Sequence, residues 1–379
     1  MSEIIFRNEK TYPSIVLLIA SLQGGGAEKV MASLANSYLA RGVRVTLVSL
    51  DDPETKPDDY ILGKQVHRIS LSVPFSSSIF SKFLMRAKQY WRIRRLLRAE
   101  QPDVLLSFMT PTNLLAIAAT QALKIRCIVS ERTNPAYSSY GRIYDLLRFL
   151  LYRKATSVVV QTPQIAQWFQ TNVACEISIV PNFVANKMNV SHVQKVKHIC
   201  AVGRLDRVKG FDLLISAFAK LADDFPDWSL LILGEGPERN VLEKEIDDLS
   251  LQQRVQLCGF IKQPIEIMQS ASIVVQPSRF EGFPNALLEA MACGCPAIAT
   301  HEAGDMLIKD GVNGLLIPAD DVDALFKALK RLIENPQLRK SLGEEAIEVR
   351  ETFSEERVMR VWDKVLFPSL KIGAMKAGV

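Results

Sequence analysis

The sequence predicts an α/β protein of two doubly wound, Rossmann-like domains, and three observations predict it. The 379-residue chain is longer than the roughly 100–200 residues of a usual domain. Short runs rich in Val, Ile and Leu alternate with helical patterns along the whole chain. The alternation pauses in a polar, Lys-containing stretch after Val180-Pro181-Asn182 and then starts afresh.

In the first half, residues 14–20 form an apolar strand, 27–40 a helix closed by Gly42, and 43–50 the next strand. Turn residues follow (Asp51-Asp52-Pro53, then Lys56-Pro57), with a short strand before residue 73. Residues 82–100 read as a helix and 104–107 and 126–130 as strands. A helix over 146–153 and strands over 157–161 and 176–180 complete this half.

In the second half, strands are expected at 198–202, 229–233, 255–258, 272–276 and 297–300. Helices are expected at 212–221, 238–249, 285–293, 322–335 and 336–352. A last helix, 355–367, has apolar spacing (Val358, Val361, Trp362, Val365, Leu366) and belongs to neither sheet, so it is expected to cross back to the first domain. Pro368 stops it. The expected domains are 1–185, 186–354 and the crossing segment 355–379, with residues 185–197 as linker.

Apolar residues make up 48% and charged residues 23% of the chain, the balance of a folded globular protein. The net charge of +5 is uneven: residues 1–185 carry 22 Lys/Arg against 13 Asp/Glu, and the remainder 24 against 28. The first domain is therefore expected to meet something anionic, a membrane surface or a phosphate-bearing substrate. None of the six cysteines has C-x-x-C spacing, which fits buried thiols in a reducing compartment. Arg7 and Lys10 precede an apolar run as in a secretion signal, but Gly24-Gly25-Gly26 and a helix follow, so the run is read as a buried strand. A cytoplasmic protein is the expectation, with peripheral contact at the inner face of the plasma membrane left open.

In open α/β sheets ligands bind beyond the carboxyl ends of the strands. Four turns at such ends carry candidate chemistry. Gln23-Gly24-Gly25-Gly26-Ala27-Glu28 offers close backbone approach and a helix N-terminus, although a tight structural turn explains it equally. Gly203-Arg204-Leu205-Asp206-Arg207-Val208-Lys209-Gly210 puts cations where a diphosphate can sit. In Ser278-Arg279-Phe280-Glu281-Gly282-Phe283-Pro284-Asn285-Ala286-Leu287-Leu288-Glu289 a helix starts at Pro284 or Asn285. One carboxylate stands before that helix and the other lies one turn beyond Asn285 on the same face. Gly234-Glu235-Gly236-Pro237-Glu238 is the fourth, or merely a turn opening a helix.

Together with Val180-Pro181-Asn182, Asn313-Gly314-Leu315-Leu316 and Phe353-Ser354-Glu355-Glu356, these turns resemble glycosyltransferase family 4, and the likeness covers nearly the whole chain. The resemblance implies a GT-B fold, two domains facing across a cleft, and a retaining transfer from a nucleotide-sugar donor, UDP-linked, of a hexose or N-acetylhexosamine. It implies that Arg204 and Lys209 neutralise the donor diphosphate, with Glu281 on sugar hydroxyls and Glu289 on the ribose. Main-chain groups over Gly282, Phe283, Pro284 and Asn285, with Leu288, would line the donor. Gly25, Gly26, Gly203 and Gly234 would approach it closely, and Phe260 and Ile261 would border the base.

Glu28, Glu131, Arg132 and Asn134 are acceptor-side candidates. Many relatives carry His where this chain has Arg132, which cannot act as a base at pH 7. The usual acidic residue before Ile308-Lys309-Asp310 is Met306 here, beside Asp305. The four histidines lack metal-ligand spacing, and Asp321-Val322-Asp323 opens a helix, so no metal or other cofactor is expected. Nucleic acid is not an expected partner. The string Ser130-Glu131-Arg132-Thr133-Asn134-Pro135 looks like relatives that extend lipid-linked oligosaccharides. With the basic-aromatic helix 82–98 and the cluster 148–154, it points to a lipid-linked glycan acceptor in surface polysaccharide assembly, although a plain amphipathic surface helix, a soluble anionic acceptor or mere solubility explains the same charges. On the wheel of that helix Phe83, Ala87, Tyr90 and Leu97 share one side. Rival readings are a UDP-sugar 2-epimerase-like enzyme on the same fold and a non-catalytic sugar-nucleotide-binding subunit.

Overall fold

A computed structural model describes residues 13–51, 58–73, 79–184 and 193–369. Arg7, Lys10, the turns at Asp52-Pro53 and Lys56-Pro57, linker residues 185–192 and the tail beyond 369 lie outside the described residues. The chain divides into two compact units: Met1–Val180 with Met359–Val379, and Pro181–Val358.

The first unit runs β1 (Ser14–Ile19), α1 (Gly26–Ala40), β2 (Arg44–Ser49), β3 (His67–Ser70), α2 (Ile79–Glu100), β4 (Val104–Phe108) and α3 (Thr110–Thr120). It continues with β5 (Arg126–Ser130), α4 (Arg142–Leu151), β6 (Ser157–Val160), α5 (Pro163–Asn172) and β7 (Ile177–Ile179). Its sheet has the order β3-β2-β1-β4-β5-β6-β7. All its pairs are parallel; β1 sets Leu17 beside Leu47 on one flank and Leu106 on the other. Every residue of β1 is buried, because crossover helices cover both faces of a parallel sheet. One of the two faces holds Leu105, Val129 and Val158 of the sheet with Ile93 and Leu97 of α2, Ile117 of α3 and Phe169 of α5.

The second unit runs β8 (Val196–Val202), α6 (Phe211–Ala222), β9 (Ser229–Leu233), α7 (Arg239–Asp248), β10 (Val255–Leu257), α8 (Ile265–Ser270) and β11 (Ala271–Gln276). After these come α9 (Asn285–Ala292), β12 (Ala297–Thr300), α10 (His301–Gly304), β13 (Leu315–Ile317), α11 (Val322–Glu334), α12 (Pro336–Ala346) and α13 (Val349–Thr352). Its sheet is parallel with the order β10-β9-β8-β11-β12-β13. In both sheets the order reverses beside the unit's first strand, the topology that leaves a ligand crevice at the strands' carboxyl ends.

The last helix, α14 (Glu355–Leu366), carries the chain back to the first unit. Trp362 is buried and stacks on Phe108, with ring centroids 6.4 Å apart. The carboxylate of Asp363 takes hydrogen bonds from Arg41 (2.8 Å) and from the Tyr38 hydroxyl (3.2 Å). Arg126 donates to the carbonyl of Val365 at 3.1 Å.

Five elements are absent from the sequence reading: α3, α5, α8, α10 and β13. The α3 segment is buried nearly all round, its threonines and Asn113 included, because it packs between α2 and α4, so it shows little apolar period. The helix expected over 336–352 is two, parted at Ile347-Glu348. All six cysteines are free; Cys293 and Cys295 sit at the end of α9, buried against Cys200 and Met268.

Candidate functional site

In the second unit the loops leaving β8, β9 and β11 fit into one another backbone against backbone. Gly234 has a φ of +150°, and a Cβ there would lie 1.9 Å from the carbonyl oxygen of Gly203. Gly210, at φ +68°, would clash likewise with the carbonyl of Pro277 at 2.1 Å. Only glycine satisfies both the conformation and the approach. The Leu205 N–H donates to Glu235 (2.9 Å), the Arg279 N–H to Val208 (2.8 Å), and the Gly234 N–H to Gly259 (2.8 Å).

On this frame Lys209 reaches past Gly203, and its Nζ stands 2.6 Å from Glu281 Oε1. The same oxygen accepts from the Ser278 hydroxyl (2.8 Å) and the Gln276 amide (2.9 Å). Among the described residues no hydrogen bond goes to Oε2, which is therefore available to a ligand hydroxyl. Arg204, on the same loop, is largely exposed and leans on Asp206 at 2.6 Å. Arg279 faces away: it pairs with Asp212 (2.7 Å) and Asp320 (2.6 Å) and ties the loops together.

Helix α9 begins just beyond Pro284, and its free N–H groups add positive potential. Buried Asn182 donates to Asn285 Oδ1, fixing that helix start from the chain that enters the unit. Glu289 lies half-buried one turn further along. The side chains of Phe283 and Leu288 are buried in an apolar cluster with Leu287 and Phe353, which leaves their main chain to meet a ligand. Phe260 is 64% exposed, whereas Ile261 packs inward against the cluster around Met268. Asp305 pairs with His301 at 2.9 Å, and Met306 packs on the same cluster as Leu288.

In the first unit Gly24 donates to Asp59 (2.7 Å), and the Tyr60 hydroxyl holds the Gly25 carbonyl (2.8 Å). Glu28 folds back over the start of α1 so closely that a Cβ on Gly25 would lie 2.0 Å from its Oε2. Burial pushes the Glu28 carboxyl up, and the charge of Arg132 opposes that. Arg132 is 8% exposed, with its guanidinium 4.1 Å above the Phe108 ring and neither Nη atom hydrogen-bonded. Desolvation lowers it to about 9, against the attraction of Glu28.

Glu131 is not offered to a ligand. It is 1% exposed and accepts from Thr110 (2.9 Å), Asn113 (3.2 Å) and the Tyr152 hydroxyl. Burial raises its pKa, with buried Arg148 opposing. Asn134 caps a local turn by accepting from the Ala136 N–H at 3.0 Å. Arg148 donates to the Thr110 hydroxyl at 3.0 Å inside the unit, which removes it from the expected surface cluster over 148–154. Gln276, Ser278 and Asn182 were not singled out as site residues, although their positions at strand ends were a usable signal. Among the described residues no three His, Cys, Asp or Glu side chains are grouped to hold a metal ion.

A cation and a carboxylate meeting beyond the carboxyl ends of a parallel sheet form a site that can hold an anionic, hydroxyl-bearing ligand. The chain belongs to the GT-B-fold glycosyltransferase superfamily. Residues 185–349 match the family model of glycosyl transferases group 1, and residues 25–182 that of a glycosyl transferase 4-like domain.

The chain is 31% identical over 360 residues to an N-acetylgalactosamine-N,N'-diacetylbacillosaminyl-diphospho-undecaprenol 4-alpha-N-acetylgalactosaminyltransferase of Campylobacter jejuni, covering 91% of this chain and 96% of that one. It is 27% identical over 358 residues to a second Campylobacter jejuni enzyme, an alpha-1,4-N-acetyl-D-galactosaminyltransferase acting on GalNAc-alpha-(1->4)-GalNAc-alpha-(1->3)-diNAcBac-PP-undecaprenol, covering 93% and 98%. Sucrose-phosphate synthase from Thermosynechococcus elongatus shares the fold, with a TM-score of 0.79 at 20% identity over 94% of this chain and 100% of that one. The chain is thus a glycosyltransferase by family.

Proposed function

We propose that the protein is a retaining family 4 enzyme that transfers an N-acetylhexosamine or hexose from a UDP-sugar to a glycan carried on a lipid diphosphate at the inner face of the plasma membrane. The observation that carries this reading is the meeting of Lys209 and Glu281 at 2.6 Å. In the apo protein each satisfies the other's charge. A bound donor divides them: Lys209 and Arg204 turn to the diphosphate, and Glu281 takes sugar hydroxyls. Glu289 then holds the ribose, and the α9 N-terminus faces phosphate. The positive charges of Lys209 and Arg204 beside the leaving diphosphate lower the barrier by stabilising the negative charge that develops on it. Support for the lipid-linked acceptor comes from the names of the two Campylobacter enzymes, both of which act on undecaprenyl diphosphate glycans.

The test is transfer from UDP-N-acetylgalactosamine, UDP-N-acetylglucosamine and UDP-glucose onto undecaprenyl-diphosphate-linked and free glycans. The anomeric configuration of the product is read by NMR. An α-linked product on the lipid-linked acceptor is expected. Efficient transfer only to the free glycan, or conversion of the UDP-sugar without any acceptor, would remove this reading.

A further inference from the structure

Helix α4 is turned the opposite way from an ordinary surface helix. Arg148 within it and Tyr152 capping its C-terminus are buried, bound to Thr110, Asn113 and Glu131. Its apolar positions Ile143, Leu146, Leu147 and Leu150 follow i, i+3, i+4, i+7 spacing and form one stripe facing solvent. Ile143 is 74% exposed, Leu146 59% and Leu150 44%. Phe149, also exposed, flanks the stripe with Arg153 stacked 5.3 Å from its ring. A contiguous run of large apolar side chains held out of the core is the signature of an interaction surface.

The charges around it say what kind of surface it meets. Arg142, Arg153 and Lys154 are exposed at the same helix, against one acidic residue within it, Asp145. Helix α3 packs against both α2 and α4. On α2, Lys88, Arg92, Arg95 and Arg98 are exposed, with Phe83, Leu84 and Trp91 also solvent-facing. An apolar stripe bordered by cations suits a bilayer with anionic headgroups, where side chains enter the acyl boundary and bases meet phosphates.

We infer that α4 lies in the interface of an anionic bilayer and inserts Ile143, Leu146, Leu147 and Leu150, so that attachment is apolar as well as electrostatic. This deepens the lipid-linked reading of the acceptor and has its own readout. Full-length protein is floated with phosphatidylglycerol-containing vesicles and with phosphatidylcholine vesicles, at low and high salt. UDP binding is measured on the same samples.

The wild type should float with the anionic vesicles and keep much of that binding at high salt, since insertion is not screened. Ile143→Asp/Leu150→Asp should lose about tenfold or more at either salt with UDP binding unchanged, the change expected when two apolar side chains no longer leave water. The milder Leu146→Ser/Leu150→Ser should fall between. The inference is overturned if the wild type fails to float, if high salt releases all of it, or if the aspartate variant floats like the wild type. It is also overturned if sedimentation shows a dimer that the aspartate variant dissociates while flotation stays unchanged. Vesicle binding without UDP binding would instead remove the donor-site reading and leave this one standing.

Discussion

Lys209 and Glu281 lie 72 residues apart in the chain, yet their charged atoms meet at 2.6 Å where the loops after β8 and β11 converge. Ser278 and Gln276 donate to the same Oε1, so the carboxylate does not depend on the lysine alone for its position. Lys209→Ala and Glu281→Ala should each leave the fold intact and lower kcat/KM roughly ten- to hundredfold, the loss expected for a charge-assisted hydrogen bond of about 1.5–3 kcal/mol. The double variant should lose less than the product of the two, because both act on one bound donor. Turnover near wild type in either single variant, with folding verified, contradicts the assignment.

Activity should survive excess EDTA. Arg204, Lys209 and the start of α9 place positive potential where a divalent cation acts in other transferases. Loss of transfer on chelation, restored by magnesium or manganese, would show that these groups are insufficient.

Glu131 and Arg148 form a buried polar network with Thr110, Asn113 and Tyr152. Removing one charge strands the other, so Glu131→Ala or Arg148→Ala should cost about 3–5 kcal/mol. Urea unfolding reads this directly. A cost below about 1 kcal/mol would mean that the network is reached by water.

Glu28 supplies a pH test in the first unit. Burial raises its native pKa above the ordinary 4.5, so the native state holds a proton that the unfolded chain has already released. Its contribution to stability is therefore most favourable below the ordinary value and declines as pH rises through the native one. The stability of the wild type relative to Glu28→Gln should fall over that interval. A difference that rises with pH contradicts the burial account.

The strands and their glycine turns were legible because a buried parallel strand is a compact apolar run and the close backbone approaches at Gly210 and Gly234 admit no side chain. The order Arg204, Lys209, Glu281, Glu289 was legible because each sits just beyond a strand or in the helix after one. Orientation was not. Arg148 reads as a surface base of the cluster 148–154, yet it is buried. That outcome depends on Glu131 and Thr110, which reach Arg148 only through the fold. Helix α3 was missed for a related reason: packed on several sides, it carries no amphipathic period.

The most direct test of the central claim is calorimetric titration of UDP and a UDP-N-acetylhexosamine into the wild type and into Lys209→Ala/Glu281→Ala. The account predicts saturable one-site binding to the wild type, tighter for the UDP-sugar than for its sugar-free nucleotide. It predicts at least about tenfold weaker UDP-sugar binding by the double variant, since each lost charged contact is worth about 1.5–3 kcal/mol. Equal affinity of both proteins for the UDP-sugar, or no binding by the folded wild type, would contradict it.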